Sequence, residues 1–379
     1  MNHVAFVVPG LNRIGGAERQ TMLLAKGLLS RGWQVSVVAL TGSGGHAAAD
    51  LAAAGAAFHT LEMRKGLADP RGWFRFRRWL KQNAPDVVHA HLPHAVWLVR
   101  WSRLATPIRV VIDTLHSSST GSRGRQLGYR FSNWLPDRVT AVSQAVSAAH
   151  LAARMVSGQK LLILPNGVDV QAWKPNTAAR RALRRELGME DEFLWFAAGR
   201  LEPVKDYSTL FWAFAQMPPT DRLVIAGSGP LLEELSNLAT RLGVGPRVRF
   251  LGFQSDLLRW MQAADGFALS SRWEGLPMGL LEAAACALPA VATDVPGTRE
   301  VVVDGQTGFL AQPGSALAFE NAMASLMHTE QMQRKAMGQQ ARNQVIERFS
   351  LEAVLDRWEA LYHDLLARNP RRRRWGRAS

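Results

Sequence analysis

The sequence predicts two doubly wound α/β domains, each a Rossmann-like parallel sheet covered by helices. Three observations carry this. The chain has 379 residues, more than one ordinary core accommodates. Short apolar runs alternate with amphipathic helical stretches, the pattern of buried parallel strands and their crossover helices. The alternation pauses at the turn Pro165-Asn166-Gly167-Val168-Asp169 and restarts at Phe193. At 47% hydrophobic residues there is material for two cores. No run of about 18 uncharged apolar residues occurs, so no transmembrane helix is expected. The start, Met1-Asn2-His3-Val4, runs straight into a strand without a basic leader region. The single Cys286 excludes an internal disulfide, fits a reducing compartment, and reads as an inert core residue.

In order, residues 3–9 form an apolar strand, 10–16 a loop, 17–30 an amphipathic helix ended by Gly32, and 34–40 the next strand, together a βαβ unit. Gly15-Gly16-Ala17-Glu18 at the helix start is either a phosphate cradle, since glycines let a ligand approach the backbone, or a plain turn. The Ala-rich stretch 47–57 predicts a helix. Residues 71–81 predict another, with Trp73, Phe76 and Leu80 on one face and Arg71, Arg75 and Arg78 on another. A strand at 86–90 leads into His89-Ala90-His91-Leu92-Pro93-His94. His89 and His91 share a strand face, but no Asp, Glu or Cys joins them, so no metal site is expected. The strand at 108–115 ends in His116 and small polar residues, at the end of a parallel strand where such folds hold ligands. A second basic–aromatic helix at 123–134, a strand at 138–142, a helix at 143–154 and a strand at 161–164 complete the first sheet.

The second half repeats the scheme. A strand at 193–198 opens into Gly199-Arg200-Leu201-Glu202-Pro203-Val204-Lys205-Asp206. Arg200 offers a planar fork and Lys205 a point charge, both suited to a diphosphate, although solvated loop cations give the same pattern. Strands follow at 222–226 and 248–251, the latter ending at Gly252-Phe253, then a helix at 255–263 and a strand at 266–269. Strands at 290–293 and 308–310 and helices at 315–327, 330–349 and 350–368 finish the chain.

Between them lies the most informative stretch, Ser270-Ser271-Arg272-Trp273-Glu274-Gly275-Leu276-Pro277-Met278-Gly279-Leu280-Leu281-Glu282. Gly275 and Pro277 turn the chain, and a helix opens at Pro277. The first-turn N–H groups of Met278 to Leu281 are free to meet an anion at the positive end of the helix dipole. Glu274 and Glu282 flank them and are placed to hold hydroxyl groups on either side. Hydroxyls, phosphates, hydroxyls is the layout of a sugar nucleotide. The simpler reading makes both glutamates solvated, but Glu282 heads a small-residue helix that packs closely and needs a partner there.

This stretch resembles the Glu-x7-Glu motif of the retaining glycosyltransferases of family 4, the group 1 glycosyl transferases with the GT-B fold. Gly15-Gly16-Ala17-Glu18, Pro165-Asn166-Gly167-Val168-Asp169, Gly199-Arg200-Leu201…Lys205 and Gly252-Phe253 match further motifs in the family's order, so the resemblance spans about residues 3–367. Asp206 departs from it, standing where Gly is usual. The resemblance implies two Rossmann-like domains facing a cleft, an acceptor-binding one at 1–168 and a nucleotide-sugar-binding one at 169–352. It also implies a helix at 353–369 crossing back to the first domain, before a basic tail at 370–379. It gives the catalytic roles to Glu274, His116, Arg200 and Lys205, with His91 competing for the place of His116. It gives donor contacts to Gly15, Gly16, Arg200, Lys205, Phe253, Gly275, Leu276, Pro277, Met278, Gly279, Leu280 and Glu282. The donor expected is a uridine diphosphate sugar, a substrate rather than a cofactor. No cofactor is expected, and without an Asp-x-Asp motif no catalytic metal is expected either.

Charge suggests the partner. Residues 1–165 hold 20 Lys and Arg against 7 Asp and Glu, residues 166–367 hold 19 against 24, and residues 368–379 hold 6 against none. A basic first half and tail point to an anionic surface. The expected acceptor is a lipid-linked or lipopolysaccharide-type glycan, reached by peripheral contact with the cytoplasmic face of a membrane, with no nucleic acid involved. The rivals are a sugar-nucleotide epimerase of the same fold, a phosphorylase carrying pyridoxal, and a basic non-enzymatic module for membrane or RNA.

Overall fold

The computed structural model describes residues 1–12, 15–64, 69–189, 191–254 and 256–370. It divides into two units, Met1–Gly167 with the segment from Leu351 onward, and Val168–Ser350. The first unit carries one parallel sheet of β1 (His3–Val8), β2 (Gln34–Ala39), β3 (Ala57–Thr60), β4 (Val87–His91), β5 (Val110–Leu115), β6 (Arg138–Ala141) and β7 (Leu161–Ile163), in the order β3-β2-β1-β4-β5-β6-β7. Strands β1, β4 and β5 are buried along their whole length, and β4 and β5 bury His89, His91, Asp113 and Thr114 among their apolar residues. The chain leaves β1 toward β2 and β3 and returns to β4 on the other side. The sheet therefore changes direction between β1 and β4, and doubly wound folds bind ligands beyond the strand ends at such a point.

The second unit repeats this with β8 (Leu194–Ala198), β9 (Arg222–Ala226), β10 (Val248–Gly252), β11 (Gly266–Leu269), β12 (Ala290–Thr293) and β13 (Gly308–Ala311), ordered β10-β9-β8-β11-β12-β13. Its switch lies between β8 and β11. These are two parallel sheets with alternating helices, as the apolar pattern predicts.

Several local readings change. The Ala-rich helix is shorter, Gly45–Ala53, and is followed by β3. Gly55, at φ +95°, ends it in a conformation open to glycine. The helices Pro93–Ala105 and Thr177–Glu186 were not anticipated. The helix predicted at 255–263 covers Leu258–Ala263, and Ser255 lies outside the described residues. The apolar face of the helix Pro70–Asn83 packs inward, with Phe76, Trp79 and Leu80 buried. Arg77 stacks over Trp73 at 4.6 Å and Arg75 pairs with Glu62. That helix therefore gives Phe76 and Trp79 to the core, leaves Trp73 half-buried under Arg77, and keeps Phe74 exposed.

The last helix, Leu351–Arg368, crosses back to the first unit. Its Val354, Leu355, Trp358 and Tyr362 join the core built on Val4, Phe6 and Val37. Gly27 lies so close to Leu355 that a Cβ there would come within 2.4 Å of it. Arg31 reaches Glu352, Asp356 and Glu359 of this helix at 2.5–2.6 Å, and Trp33 Nε1 donates to Glu359 at 2.8 Å. Two of the three carboxylates are largely exposed, so Glu359 carries most of the effect. Arg31→Ala is expected to cost about 1–2 kcal/mol, the scale of one well-placed charged hydrogen bond, read as a lower midpoint in urea unfolding.

Candidate functional site

The second unit brings its two marked loops together at the switch point. The loop after β8 and the loop after β11 are joined by Arg272 N–H donating to Val204 O at 2.8 Å and Ser270 Oγ donating to Lys205 O at 2.8 Å. Across this seam Lys205 Nζ donates to Glu274 Oε1 at 2.5 Å, and Ser271 Oγ donates to the same oxygen at 2.6 Å. Lys205 and Glu274 are thus partners of one another, 69 residues apart in sequence. Ser271 was missed by sequence reasoning, although its place three residues before Glu274 is the spacing of a side-chain contact within one turn. Arg200 is 72% exposed and paired with Glu202 at 2.8 Å, a contact that competes with any ligand and is weak in water.

The loop also explains the Asp206 departure. Asp206 has φ +46° and ψ +45°, the left-handed region that favours glycine. Its carboxylate accepts from Ser208 Oγ and Thr209 Oγ1, both at 3.0 Å, and pairs with Arg272 at 3.2 Å, contacts that offset the strained backbone. Beside it the loop after β9 comes very close: a Cβ on Gly227 would sit 1.8 Å from Gly199 O. Phe253, two strands out from β8, is 71% exposed and presents a bare ring.

The turn that begins the helix Met278–Ala285 is mostly buried. Gly275, Leu276, Pro277, Met278 and Leu280 are enclosed, while Glu274 and Gly279 are half-buried. Thr293 Oγ1 donates to Ser271 O at 2.5 Å, and Gly297 abuts the turn so closely that a Cβ would come within 2.6 Å of Gly275 O. Leu280 and Leu281 N–H both donate to Pro277 O, at 3.1 and 3.3 Å. Among the described residues, the first-turn N–H groups left without a backbone acceptor are those of Met278 and Gly279, two rather than the four expected. Glu282 is 2% exposed, which rules out a solvated surface role. It faces Cys286, whose thiol burial first and Glu282 second push up to about 12.

In the first unit Gly15 precedes the helix Gly16–Ser30, and its N–H donates to Glu18 Oε2 at 3.0 Å. A carboxylate of the chain already holds that amide. His91, at the end of β4, and His116, just past β5, are joined by His91 Nδ1 and His116 Nε2 at 2.8 Å. The two competing candidates are therefore one pair. Nε2 of His91 is buried with no partner among the described residues. His89 lies against His91 with ring centroids 4.2 Å apart and the planes tilted by 34°, and its nitrogens meet Tyr362 Oη at 2.8 Å and Thr114 Oγ1 at 2.6 Å. Burial holds His89 and His91 well below the usual imidazole range and lowers His116 to about 4, so all three are neutral at pH 7. Among the described residues no group of three or more His, Cys, Asp or Glu is arranged to hold a metal ion. No helix among them is long and apolar enough to cross a membrane.

Comparison with known proteins gives this geometry its setting. The family model of Glycosyltransferase Family 4 matches residues 14–172, and that of Glycosyl transferases group 1 matches residues 179–344. A UDP-Gal:alpha-D-GlcNAc-diphosphoundecaprenol alpha-1,3-galactosyltransferase of Escherichia coli is 25% identical over 316 residues, 79% of this chain and 81% of that protein. An N-acetyl-alpha-D-glucosaminyl L-malate synthase of Bacillus anthracis is 28% identical over 292 residues, 74% of this chain and 75% of that one. Among solved structures, Anabaena HepE in complex with UDP and glucose superposes with a TM-score of 0.85 at 23% identity, covering 95% of this chain and 99% of that one. Two family models in succession, two Rossmann-like units and a returning helix lead to one statement: the chain belongs to the family 4, group 1 glycosyltransferases of the GT-B fold.

Proposed function

We propose that this glycosyltransferase moves a hexose or N-acetylhexosamine from a UDP sugar to a lipid-linked or lipopolysaccharide-type glycan, with retention at the anomeric carbon and without a metal ion or cofactor. The observation that carries the reading is the seam between the loops after β8 and β11. There Lys205, Glu274 and Ser271 converge, on the two loops that also carry Arg200 and lead into the helix start at Met278 and Gly279. The E. coli relative, named for a UDP-Gal donor and a diphosphoundecaprenol acceptor, supports the choice of donor and acceptor class. The basic first half and tail support work at the cytoplasmic face of a membrane.

In this mechanism the bond from the anomeric carbon to the diphosphate breaks, and its electron pair passes to the phosphate oxygen. Arg200 and Lys205 offset the charge that develops there, aided by Met278 and Gly279 N–H. Glu274 steadies the electron-poor sugar and holds its hydroxyls, Glu282 holds the ribose hydroxyls, and Phe253 stacks on the base. His116 takes the C6 hydroxyl of the sugar. The acceptor oxygen bonds to the anomeric carbon, and its proton passes to the departing phosphate.

A panel of nucleotide sugars read by thermal shift tests the reading. One UDP sugar should raise stability by about 2.7 kcal/mol at a hundredfold excess over its Kd. Glu282→Ala should weaken that binding by roughly 1–3 kcal/mol, the loss of a buried charged hydrogen bond. Transfer to a lipid-diphosphate glycan should survive EDTA. No shift with any nucleotide sugar overturns the donor assignment, and activity lost in EDTA and restored by magnesium or manganese overturns the metal-free step.

A further inference from the structure

In the first unit a pair of helices outside the strand ends leaves an apolar ridge uncovered. On the helix Pro93–Ala105, Trp101 and Leu104 are 48% and 55% exposed, continuing the line of Trp97. On the helix Arg123–Phe131 and the turn after it, Leu127, Phe131 and Trp134 are 50%, 71% and 65% exposed, again at helical spacing. The two rows are neighbours. Trp97 lies over Gly128, where a Cβ would come within 3.2 Å of its ring, and Leu104 and Trp134 share a surface hollow of about 440 Å³.

The ridge is built rather than frayed. Beneath it Arg100, fully buried, donates to Asp113 at 2.7 Å, to Ser132 Oγ at 2.7 Å and to Tyr129 O at 3.1 Å, clamping both helices to β5. Lys160 Nζ donates to Asn133 O, Trp134 O and Pro136 O, and Arg103 donates to Leu135 O, fixing the turn that holds Trp134 out. Five large apolar side chains held in solvent by buried polar bonds cost stability unless something covers them.

Charge identifies the cover. From residue 87 to 136 the chain carries six Arg and one carboxylate, Asp113, and that carboxylate is buried on Arg100. Arg123 and Arg130 stand exposed on the second helix, with no acid on either helix. Asp137, which also lines the hollow, is paired with Arg103 at 2.8 Å. Aromatic rings flanked by arginine, with the nearby carboxylates paired to arginine, match the headgroup level of an anionic bilayer: rings among the acyl-chain ends, guanidinium groups on phosphates.

We propose that Trp101, Leu104, Leu127, Phe131 and Trp134 seat this protein on an anionic phospholipid bilayer, with Arg123 and Arg130 on its phosphates. The seat deepens the proposed function, which puts the acceptor in a membrane, but vesicle binding needs neither donor nor turnover. Residues 371–379 of the basic tail, read from its charge as pointing to an anionic surface, lie outside the described residues and carry none of this argument.

The test is co-sedimentation of the full chain with phosphatidylglycerol–phosphatidylethanolamine vesicles, with phosphatidylcholine vesicles for comparison. The wild type should pellet with the anionic vesicles at low salt and be released toward about 0.5 M salt, where screening shortens the Debye length. Phe131→Ser with Trp134→Ser, and separately Arg123→Glu with Arg130→Glu, should each reduce binding at least about tenfold at an unchanged melting temperature. Bromine-labelled acyl chains should quench the fluorescence of the wild type, and less so that of Trp101→Ser. Wild type left in the supernatant, or a ridge variant that binds as tightly as wild type, overturns the seat. So does a ridge variant that only breaks a dimer, or vesicle-independent binding of single-stranded RNA at the same surface. A chain that glycosylates a soluble acceptor but ignores vesicles sinks the seat and spares the transfer. Vesicle binding without transfer does the reverse.

Discussion

Lys205→Ala is expected to lower kcat by about a hundredfold to a thousandfold, the range for removing one donor aimed at developing charge. In the structure Lys205 Nζ is bound to Glu274 Oε1 at 2.5 Å, with the side chains only 20% and 12% exposed. The substitution acts twice: it removes a cation proposed to face the diphosphate, and it leaves Glu274 with Ser271 as its remaining donor in a half-buried place. Lys205→Arg keeps the charge but replaces a compact ammonium with a planar fork, so it should recover only part of the rate. Glu274→Gln should also lower kcat strongly while barely changing nucleotide affinity, because its proposed duty is to the sugar. Steady-state kinetics with saturating donor, beside a melting curve, separates catalysis from folding. If Lys205→Ala keeps kcat within threefold of wild type, or loses rate only in proportion to lost stability, the pair is structural and the assignment of the seam fails.

Acidification should destabilise the protein while its ordinary carboxylates are still ionised; Asp221, which burial pushes up to about 6, is an exception. His89, His91 and His116 are neutral in the folded state because burial lowers their proton affinity, His116 to about 4. In the unfolded chain each titrates near 6.5. Below that value the unfolded state binds protons that the folded state refuses. The three therefore contribute stability fully above about pH 6.5 and lose it as pH falls toward the folded values. Between pH 7 and 5.5 the three together should lose about 3–4 kcal/mol, somewhat over 1 kcal/mol each. Melting temperature against pH measures this. His89→Gln, whose amide can still meet Tyr362 and Thr114, should flatten the slope by close to one proton. A melting temperature unchanged from pH 7 to 5.5 would falsify the account.

Much of the architecture was settled within short stretches of chain. The strands Arg222–Ala226 and Gly266–Leu269 fall where their apolar runs put them, because a strand buried on both faces needs no partner information to be read. The helices Gln331–Phe349 and Leu351–Arg368 are equally local, set by periodicity and by their breaks. Arg200, Lys205 and Glu274 were singled out by their place on loops that follow strands, and Glu282 by its place in the helix after the second of these loops, which are also local properties. The helix Pro93–Ala105 escaped because Leu92, at φ +70°, gives no capping signal.

Tertiary structure decided which of these residues meet. Lys205 and Glu274 become partners because β8 and β11 are neighbours across the switch point, which strand order determines and residue type does not. His91 and His116 become one pair because β4 lies beside β5, with His91 level with Thr114. The same holds for exposure. Two similar basic–aromatic stretches part ways: Phe76, Trp79 and Leu80 go into the core, while Phe131 and Trp134 stay in solvent. Periodicity tells that a helix has an apolar face, and only its neighbours determine whether that face is covered.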